Sequence, residues 1–297
     1  MKIFSTILLF LITHTMLLAQ NKINTDNNFS LDEINKIITI GGSITETVFA
    51  LGMGDHIVAT DQSSTFPPQV YELPRVPYVR NLTSEGVISL QADLIIASDE
   101  VKPLSAVQQI RDAGIPLIIV EEIDTFEGVS NKISTIGKIL NKEEKANEII
   151  TLNEIQYEET QNALKNLSDL PKVMFVLSMR NGNFIVAGAK TGAQSIIELA
   201  GGINAFNSFD GYKTVTNESI ILENPDFILA MESRAHNIVD ELNGLAGINS
   251  INAVVNNSII KMDGNYLLGF GPRFGSALIE LMNELHPSLE LKINNPN

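Results

Sequence analysis

Cysteine is absent from all 297 residues. That excludes disulfides, thiolate metal sites and the lipidated cysteine that tethers many exported bacterial proteins. Positive charge is scarce: 20 Lys and Arg stand against 35 Asp and Glu, a net charge of −15. Nucleic-acid binding needs a basic face and is disfavoured, the more so because the bases are scattered. The acidity alone means no more than solubility. Histidine occurs four times, as His14, His56, His236 and His286, with no HExxH or HxH spacing, so a catalytic zinc site is not expected. No GxSxG elbow, Walker loop or GxGxxG follows a strand pattern. Gly269-Phe270-Gly271-Pro272-Arg273-Phe274-Gly275 misses the dinucleotide spacing, and Pro272 removes an amide needed to hold phosphate, so it reads as a turn feeding the last helix. Hydrolase and dehydrogenase readings therefore start without support.

Long apolar runs are also missing after the first 20 residues. Those residues, MKIFSTILLFLITHTMLLAQ, carry one Lys, an apolar run broken by Thr13-His14-Thr15, and a small residue at Ala19. This pattern reads as a signal peptide (1–20) rather than a membrane span. A soluble, freely diffusing periplasmic protein is expected after cleavage. It would keep 277 residues, with 19 bases against 35 acids and a net charge of −16, enough chain for two domains that each bury a core.

What the chain does have is a passage that occurs twice. Residues 83–97, TSEGVISLQADLIIA, reappear 133 positions later as residues 216–230, TNESIILENPDFILA. Each copy has a Thr two residues before a Glu, then an apolar helical stretch, then an Asp leading into an apolar strand. A repeat of this length implies two similar α/β lobes with a cleft between them. Upstream of the copies lie Tyr78-Val79-Arg80 and Tyr212-Lys213, each an aromatic hydroxyl with a base.

The fold class expected is α/β, with two similar Rossmann-like lobes, parallel-rich sheets and one long connecting helix. Lys36–Gly41, Ile57–Thr60, Leu94–Ala97 and Pro116–Val120 read as strands of an N-terminal lobe (21–124), with helices near 84–91 and 104–113. Ser43-Ile44-Thr45-Glu46 reads as a capping box in which Glu46 caps its own helix. Residues 125–168 read as a linker dominated by a helix of about 25 residues. The C-terminal lobe (169–297) follows with strands at Lys172–Leu177 and Ser258–Met262 and helices near Gly192–Leu199 and Gly275–Leu285, matching the first lobe in order and kind.

Tyr78 carries the sharpest chemistry. Pro74 and Pro77 stiffen its segment, a ferric ion binds phenolate, and Arg80 two residues on stabilises such an anion by charge. An ordinary loop tyrosine packed on its lobe remains the alternative from the residues alone.

The motifs Gly41-Gly42-Ser43-Ile44-Thr45-Glu46, Leu73-Pro74-x-Val76-x-Tyr78-Val79-Arg80, Leu82-x-x-Glu85-Gly86-Val87, Val186-Ala187-Gly188, Leu199-Ala200-Gly201-Gly202-x-Asn204, Gly211-Tyr212-Lys213 and Leu267-Leu268-Gly269-Phe270-Gly271-Pro272-Arg273 occur in an order that resembles the periplasmic haem-binding proteins of bacterial haemin ABC importers. The resemblance covers nearly all of the chain after residue 20. It implies a non-enzymatic, monomeric carrier whose partners are haem and an ABC permease dimer with its ATPase. Tyr78 matches the tyrosine that ligates ferric haem iron, and Arg80 the base beside it. Arg234 matches a second-lobe arginine near a propionate, and Tyr212 and Lys213 face the cleft. Val176-Leu177-Ser178-Met179-Arg180 lacks the histidine that some members use, so one five-coordinate haem is implied, with Met179 an outside candidate for a sixth ligand. Glu85 and Glu218 match glutamates that dock into arginine pockets on two permease subunits, although acids in an opening helical turn also favour the helix through its dipole. Phe66, Val79, Phe184, Phe209, Leu268 and Phe270 are candidates for apolar cleft walls.

A ferric-siderophore or cobalamin carrier of the same fold is the alternative. A haem-degrading or chelating enzyme would need an acid–base or redox pair that is not evident, and a bare metal-ion carrier would need a His/Asp/Glu cluster.

Overall fold

The computed structural model describes residues 34–180, 183–231, 242 and 247–293. The expected signal peptide (1–20) and Arg234 lie outside the described residues. The first sheet contains β1 (Ile37–Ile40), β2 (Ile57–Asp61), β3 (Arg75–Val76), β4 (Leu94–Ser98) and β5 (Leu117–Val120), in the order β3-β2-β1-β4-β5. All of its strand pairs are parallel. Helices α1 (Gly42–Ala50), α2 (Ser84–Ile88) and α3 (Leu104–Asp112) lie between them in the chain. Runs such as IITI and LIIAS are buried along their whole length, as expected of parallel strands covered on both faces.

Two helices follow, α4 (Phe126–Ile139) and α5 (Glu143–Leu164). The helical pattern thus breaks into two at Leu140–Lys142, where Asn141 takes a positive φ of 52°. The 22 residues of α5 span roughly 33 Å at 1.5 Å per residue.

The second sheet contains β6 (Lys172–Arg180), β7 (Asn183–Ala187), β8 (Ile203–Asn204), β9 (Tyr212–Val215), β10 (Phe227–Met231) and β11 (Ile259–Met262). Its order is β11-β10-β6-β7-β9, with β8 beside β6. Its helices are α6 (Gly192–Leu199), α7 (Asn217–Glu223), α8 (Asn252–Val255), α9 (Gly264–Leu268) and α10 (Phe274–Leu285). Here the two lobes diverge: β7 runs antiparallel to both β6 and β9. A match in kind throughout is therefore corrected to a wholly parallel sheet and a mixed one.

The repeated passage has a structural meaning. Asp93 donates its N–H to the Lys36 carbonyl at 2.9 Å, while its carboxylate accepts from Lys36 N–H at 2.8 Å. Asp226 donates to the Lys172 carbonyl at 2.8 Å, and its carboxylate accepts from Lys172 N–H at 2.9 Å. Each copy clamps the entry of its sheet's central strand to the strand that follows the aspartate. The same local problem is solved twice by the same side chain.

Side-chain alternation along the strands sorts the core into layers. Ile38, Ile40, Ile95 and Ala97 face the outer layer of the first lobe, and Met174, Val176, Ile228 and Ala230 the outer layer of the second. The opposite faces, with Ile37, Leu94 and Ile96 from one sheet and Val173, Phe175 and Leu229 from the other, belong to one continuous cluster. Val129, Ile133, Phe274 and Leu278 on α4 and α10 complete it. Two separately buried cores were expected; instead the inner cores merge.

The segment around α9 and α10 seals the seam. Arg273 donates to the buried Glu46 carboxylate from Nε and Nη2 at 2.7 and 2.9 Å, and its guanidinium lies 3.6 Å from the ring centroid of Phe66 and 4.7 Å from that of Tyr266. Glu46 therefore does not cap α1: the helix starts at Gly42, Gly41 is its N-cap, and the carboxylate is used across the seam. Asn265 Nδ2 donates to the Ser63 carbonyl at 2.6 Å, so close to Gly42 that a Cβ there would sit 2.8 Å from the same nitrogen. Lys132 on α4, its side chain wholly buried, pairs with Glu122 and donates to the carbonyls of Gly269 at 3.3 Å and Phe270 at 3.1 Å. Phe270 is a buried aromatic at a positive φ of 44°, a conformation that costs a bulky residue energy, and the ammonium holds its carbonyl.

Replacing Lys132 with Met keeps the aliphatic packing but leaves Glu122 facing the seam without its cation. The expected outcome is a loss of about 3 kcal/mol in urea-induced unfolding, largely restored in Lys132→Met/Glu122→Gln because the charge is then removed as well. Wild-type stability in the single variant would show that this contact does not hold the lobes.

Candidate functional site

In a parallel α/β sheet, ligand-binding loops gather outside the carboxyl ends of the strands. Polar groups of the first lobe gather at such ends: Gly41 after β1, Asp61 closing β2, Tyr78 after β3, Glu100 after β4 and Asp124 after β5.

Asp61 organises them. Fully buried, its carboxylate accepts from Gly41 N–H at 2.9 Å, Ser63 N–H at 3.0 Å, Ser63 Oγ at 2.9 Å, Ser64 Oγ at 2.9 Å and Val79 N–H at 3.0 Å. One buried charge thus fixes three loops, and each charge-assisted bond to it is worth about 1.5–3 kcal/mol. Tyr78 stands at the head of a single 3-10 turn over Val79–Asn81, closed by Asn81 N–H donating to the Tyr78 carbonyl at 2.7 Å. Val79 is buried beneath the turn while Tyr78 remains 40% exposed. The turn therefore anchors through Val79 and presents Tyr78 outward.

Arg80 forms an ion pair with Glu100. That hydrogen bond is the first cause holding its guanidinium above its ordinary value; the charge of Glu100 and the neighbouring Tyr78 and Tyr212 act in the same direction, and burial opposes them. Tyr212 belongs to the second lobe, so Arg80 lies where the two lobes face each other. Tyr212 rests edge-on against Phe175, ring centroids 6.4 Å apart. Burial pushes its hydroxyl above the usual value, and the carboxylate of Asp124 adds to this. It remains a neutral donor where a phenolate is not favoured. Asp124 is itself raised, first by burial, then by Glu100 and Asp99 against the pull of Lys132. Its Oδ2 lies 3.0 Å from where a Cβ on Gly192, the first residue of α6, would be.

Arg80 thus lies within electrostatic reach of both Tyr78 and Tyr212. Lys213 is not with them: neighbouring residues of a strand point to opposite faces, and its ammonium lies 5.0 Å over the ring of Phe209. Met179 packs on the outer core of the second lobe. Among the candidate wall residues, Val79, Phe184 and Phe270 are buried core, Leu268 packs against the inner cluster, and Phe66 is covered by Arg273. Glu85 and Glu218 are exposed in the first turns of α2 and α7. Thr216 Oγ1 accepts from Ser219 N–H at 3.3 Å, and the Glu218 carboxyl is held below its ordinary value by its own backbone N–H and by Thr216.

Glu100, Asp61 and Asp124 are additions that the sequence reading lacked. Asp61 had a signal: an acid closing a Val-Ala-Thr strand, with serines two and three residues on, is a local hydrogen-bonding cluster. Glu100 and Asp124 had none, since their partners are distant in sequence.

Comparison with known proteins agrees with this architecture. The solved structure of the periplasmic heme-binding protein RhuT from Roseiflexus sp. RS-1, in apo form, has a TM-score of 0.81 at 30% identity and covers 86% of this chain and 100% of that one. The periplasmic heme-binding protein BhuT in complex with two hemes has a TM-score of 0.80 at 30% identity, covering 86% and 98%. Among curated sequences, the uncharacterized ABC transporter substrate-binding lipoprotein YvrC of Bacillus subtilis (strain 168) is 28% identical over 258 residues, 86% of this chain and 81% of the relative. A vitamin B12-binding protein of Vibrio parahaemolyticus serotype O3:K6 is 23% identical over 252 residues, 84% and 89%. The model of the periplasmic binding protein family matches residues 37–266, and the chain belongs to that family.

Proposed function

We propose that this protein is a periplasmic carrier that takes ferric haem into the cleft between its lobes and delivers it to an inner-membrane ABC permease without transforming it. The observation that carries the reading is that Tyr78 stands exposed on a turn pinned by Asp61, beside Arg80 and with Tyr212 of the second lobe within electrostatic reach of that arginine. The Tyr78 oxygen is the iron ligand, presented on a turn that Asp61 fixes. Arg80 supplies positive charge for a phenolate or a propionate, and Tyr212, kept neutral, donates a hydrogen bond. Arg234 is assigned to a propionate on resemblance alone. The heme-binding structural relatives support the same cargo.

A cobalamin carrier is the second reading, favoured by the vitamin B12-binding sequence relative. A cobalamin or a ferric siderophore arrives with its metal already coordinated and has no use for a phenolate, so an iron bond to Tyr78 separates the readings. Tyr78→Phe removes one oxygen from a half-exposed side chain. It should abolish the phenolate-to-iron absorption of the ferric haem complex and weaken binding by more than Arg80→Ala does, since the arginine's charge-assisted hydrogen bond accounts for only about 1.5–3 kcal/mol. An unchanged haem spectrum in Tyr78→Phe would remove Tyr78 as the ligand.

Glu85 and Glu218 occupy matching positions of the two repeats. We assign them to docking, one carboxylate per lobe against one permease subunit, because a two-fold repeat suits a two-fold partner. Reversing both to Lys should leave haem binding intact and sharply reduce uptake into permease vesicles. Unimpaired uptake by a folded double variant would return both residues to helix stabilisation, worth about 0.3–1 kcal/mol each.

A further inference from the structure

Arg80 meets the cleft already engaged. Its guanidinium is paired with Glu100, the two side chains being 56% and 44% exposed. The pairing is built in by the backbone. Lys102 donates its N–H to the Val79 carbonyl at 2.9 Å, and Leu82 donates to the Lys102 carbonyl at 2.8 Å, so the turn carrying Arg80 is held on both sides of that residue to Lys102, two residues beyond Glu100. Glu100 is also held at the end of β4, where its N–H donates to Ser98 Oγ at 3.0 Å. Further acid surrounds the site: Glu100 and Asp99 both act on Asp124, and Asp124 and Glu100 both act on Tyr212.

We infer that Glu100 is a specificity-determining residue that holds Arg80 and must be displaced from it by a carboxylate of the incoming ligand. The inference rests on the haem reading of this site and identifies the step at which the ligand's edge carboxylates are recognised. A ligand without a carboxylate leaves the neutral Arg80–Glu100 pair in place. A ligand with one exchanges an ion pair for another and turns Glu100 out toward water. Because a pair this exposed contributes little on its own, the exchange is close to balanced, which suits a carrier that must also release its cargo.

The test compares ferric haem with its dimethyl ester, which keeps the iron and ring but lacks carboxylates, on wild type and Glu100→Gln, by equilibrium titration. Glu100→Gln should bind haem roughly two- to five-fold more tightly and the ester unchanged. The haem gain should vanish in an Arg80→Ala background, because the competitor matters only while Arg80 is there to be contested. Weaker haem binding by Glu100→Gln, equal changes for haem and ester, or the same gain without Arg80 would each overturn the inference. Glu100→Ala, which removes the acceptor altogether, must move in the same direction as Glu100→Gln. A wild-type protein that binds neither porphyrin would instead overturn the haem reading itself.

Discussion

The ammonium of Lys132 lies wholly inside the protein, against Glu122 and two carbonyls of the segment that runs from β11 into α10. A lone cation there would be prohibitively costly, so the geometry around it is over-determined. Its carbonyl partners, Gly269 and Phe270, belong to the C-terminal half of the chain, while Lys132 and Glu122 belong to the end of the N-terminal half. Arg273 with Glu46, and Asn265 with Ser63, repeat the same crossing nearby. Together they close the polar rim of an apolar layer that both sheets share. With the inner cores merged and α10 packed on α5, the two lobes are fixed to one another at the base of the cleft.

That fixed base sets what the cleft can do. The loops at the carboxyl ends of the parallel strands are short and tied to the same seam: Ser63, whose carbonyl receives Asn265, also donates to Asp61, and Asp61 receives the amide of Val79. A continuous run of hydrogen bonds therefore leads from the second lobe to the turn that presents Tyr78. Preorganisation of this kind lowers the ordering cost of binding and fixes the turn that carries Tyr78 and Arg80. Under the proposed haem reading, the ligand is selected by what Tyr78, Arg80, Tyr212 and their acidic neighbours accept.

Most of the framework was legible in the residues because it depends on local pattern. Buried parallel strands announce themselves as β-branched runs, as in Ile37–Ile40 and Leu94–Ser98, and α6 covers the expected Gly192–Leu199. The repeated Asp93 and Asp226 were visible as a repeat, although their clamping role was not. Strands of two residues such as β3 and β8 carry too little periodicity to be read, and the antiparallel β7 and β9 break the expectation set by the first lobe. The misreading of Glu46 has a definite cause. A capping box is a local pattern, whereas the partner that claims this carboxylate, Arg273, is 227 residues away. The same limit hid Glu100 from Arg80, whereas Lys213 and Tyr212 face apart because they are neighbours on one strand.

The proposed function requires an iron ligand exposed in the cleft. Side-by-side calorimetric titration of the purified protein with ferric haem and with cyanocobalamin tests it most directly. Saturable binding of ferric haem is expected, with a matching change in its visible absorption and no comparable heat from cyanocobalamin. Tight binding of cyanocobalamin, with haem taken up weakly or without a spectral change, would contradict it.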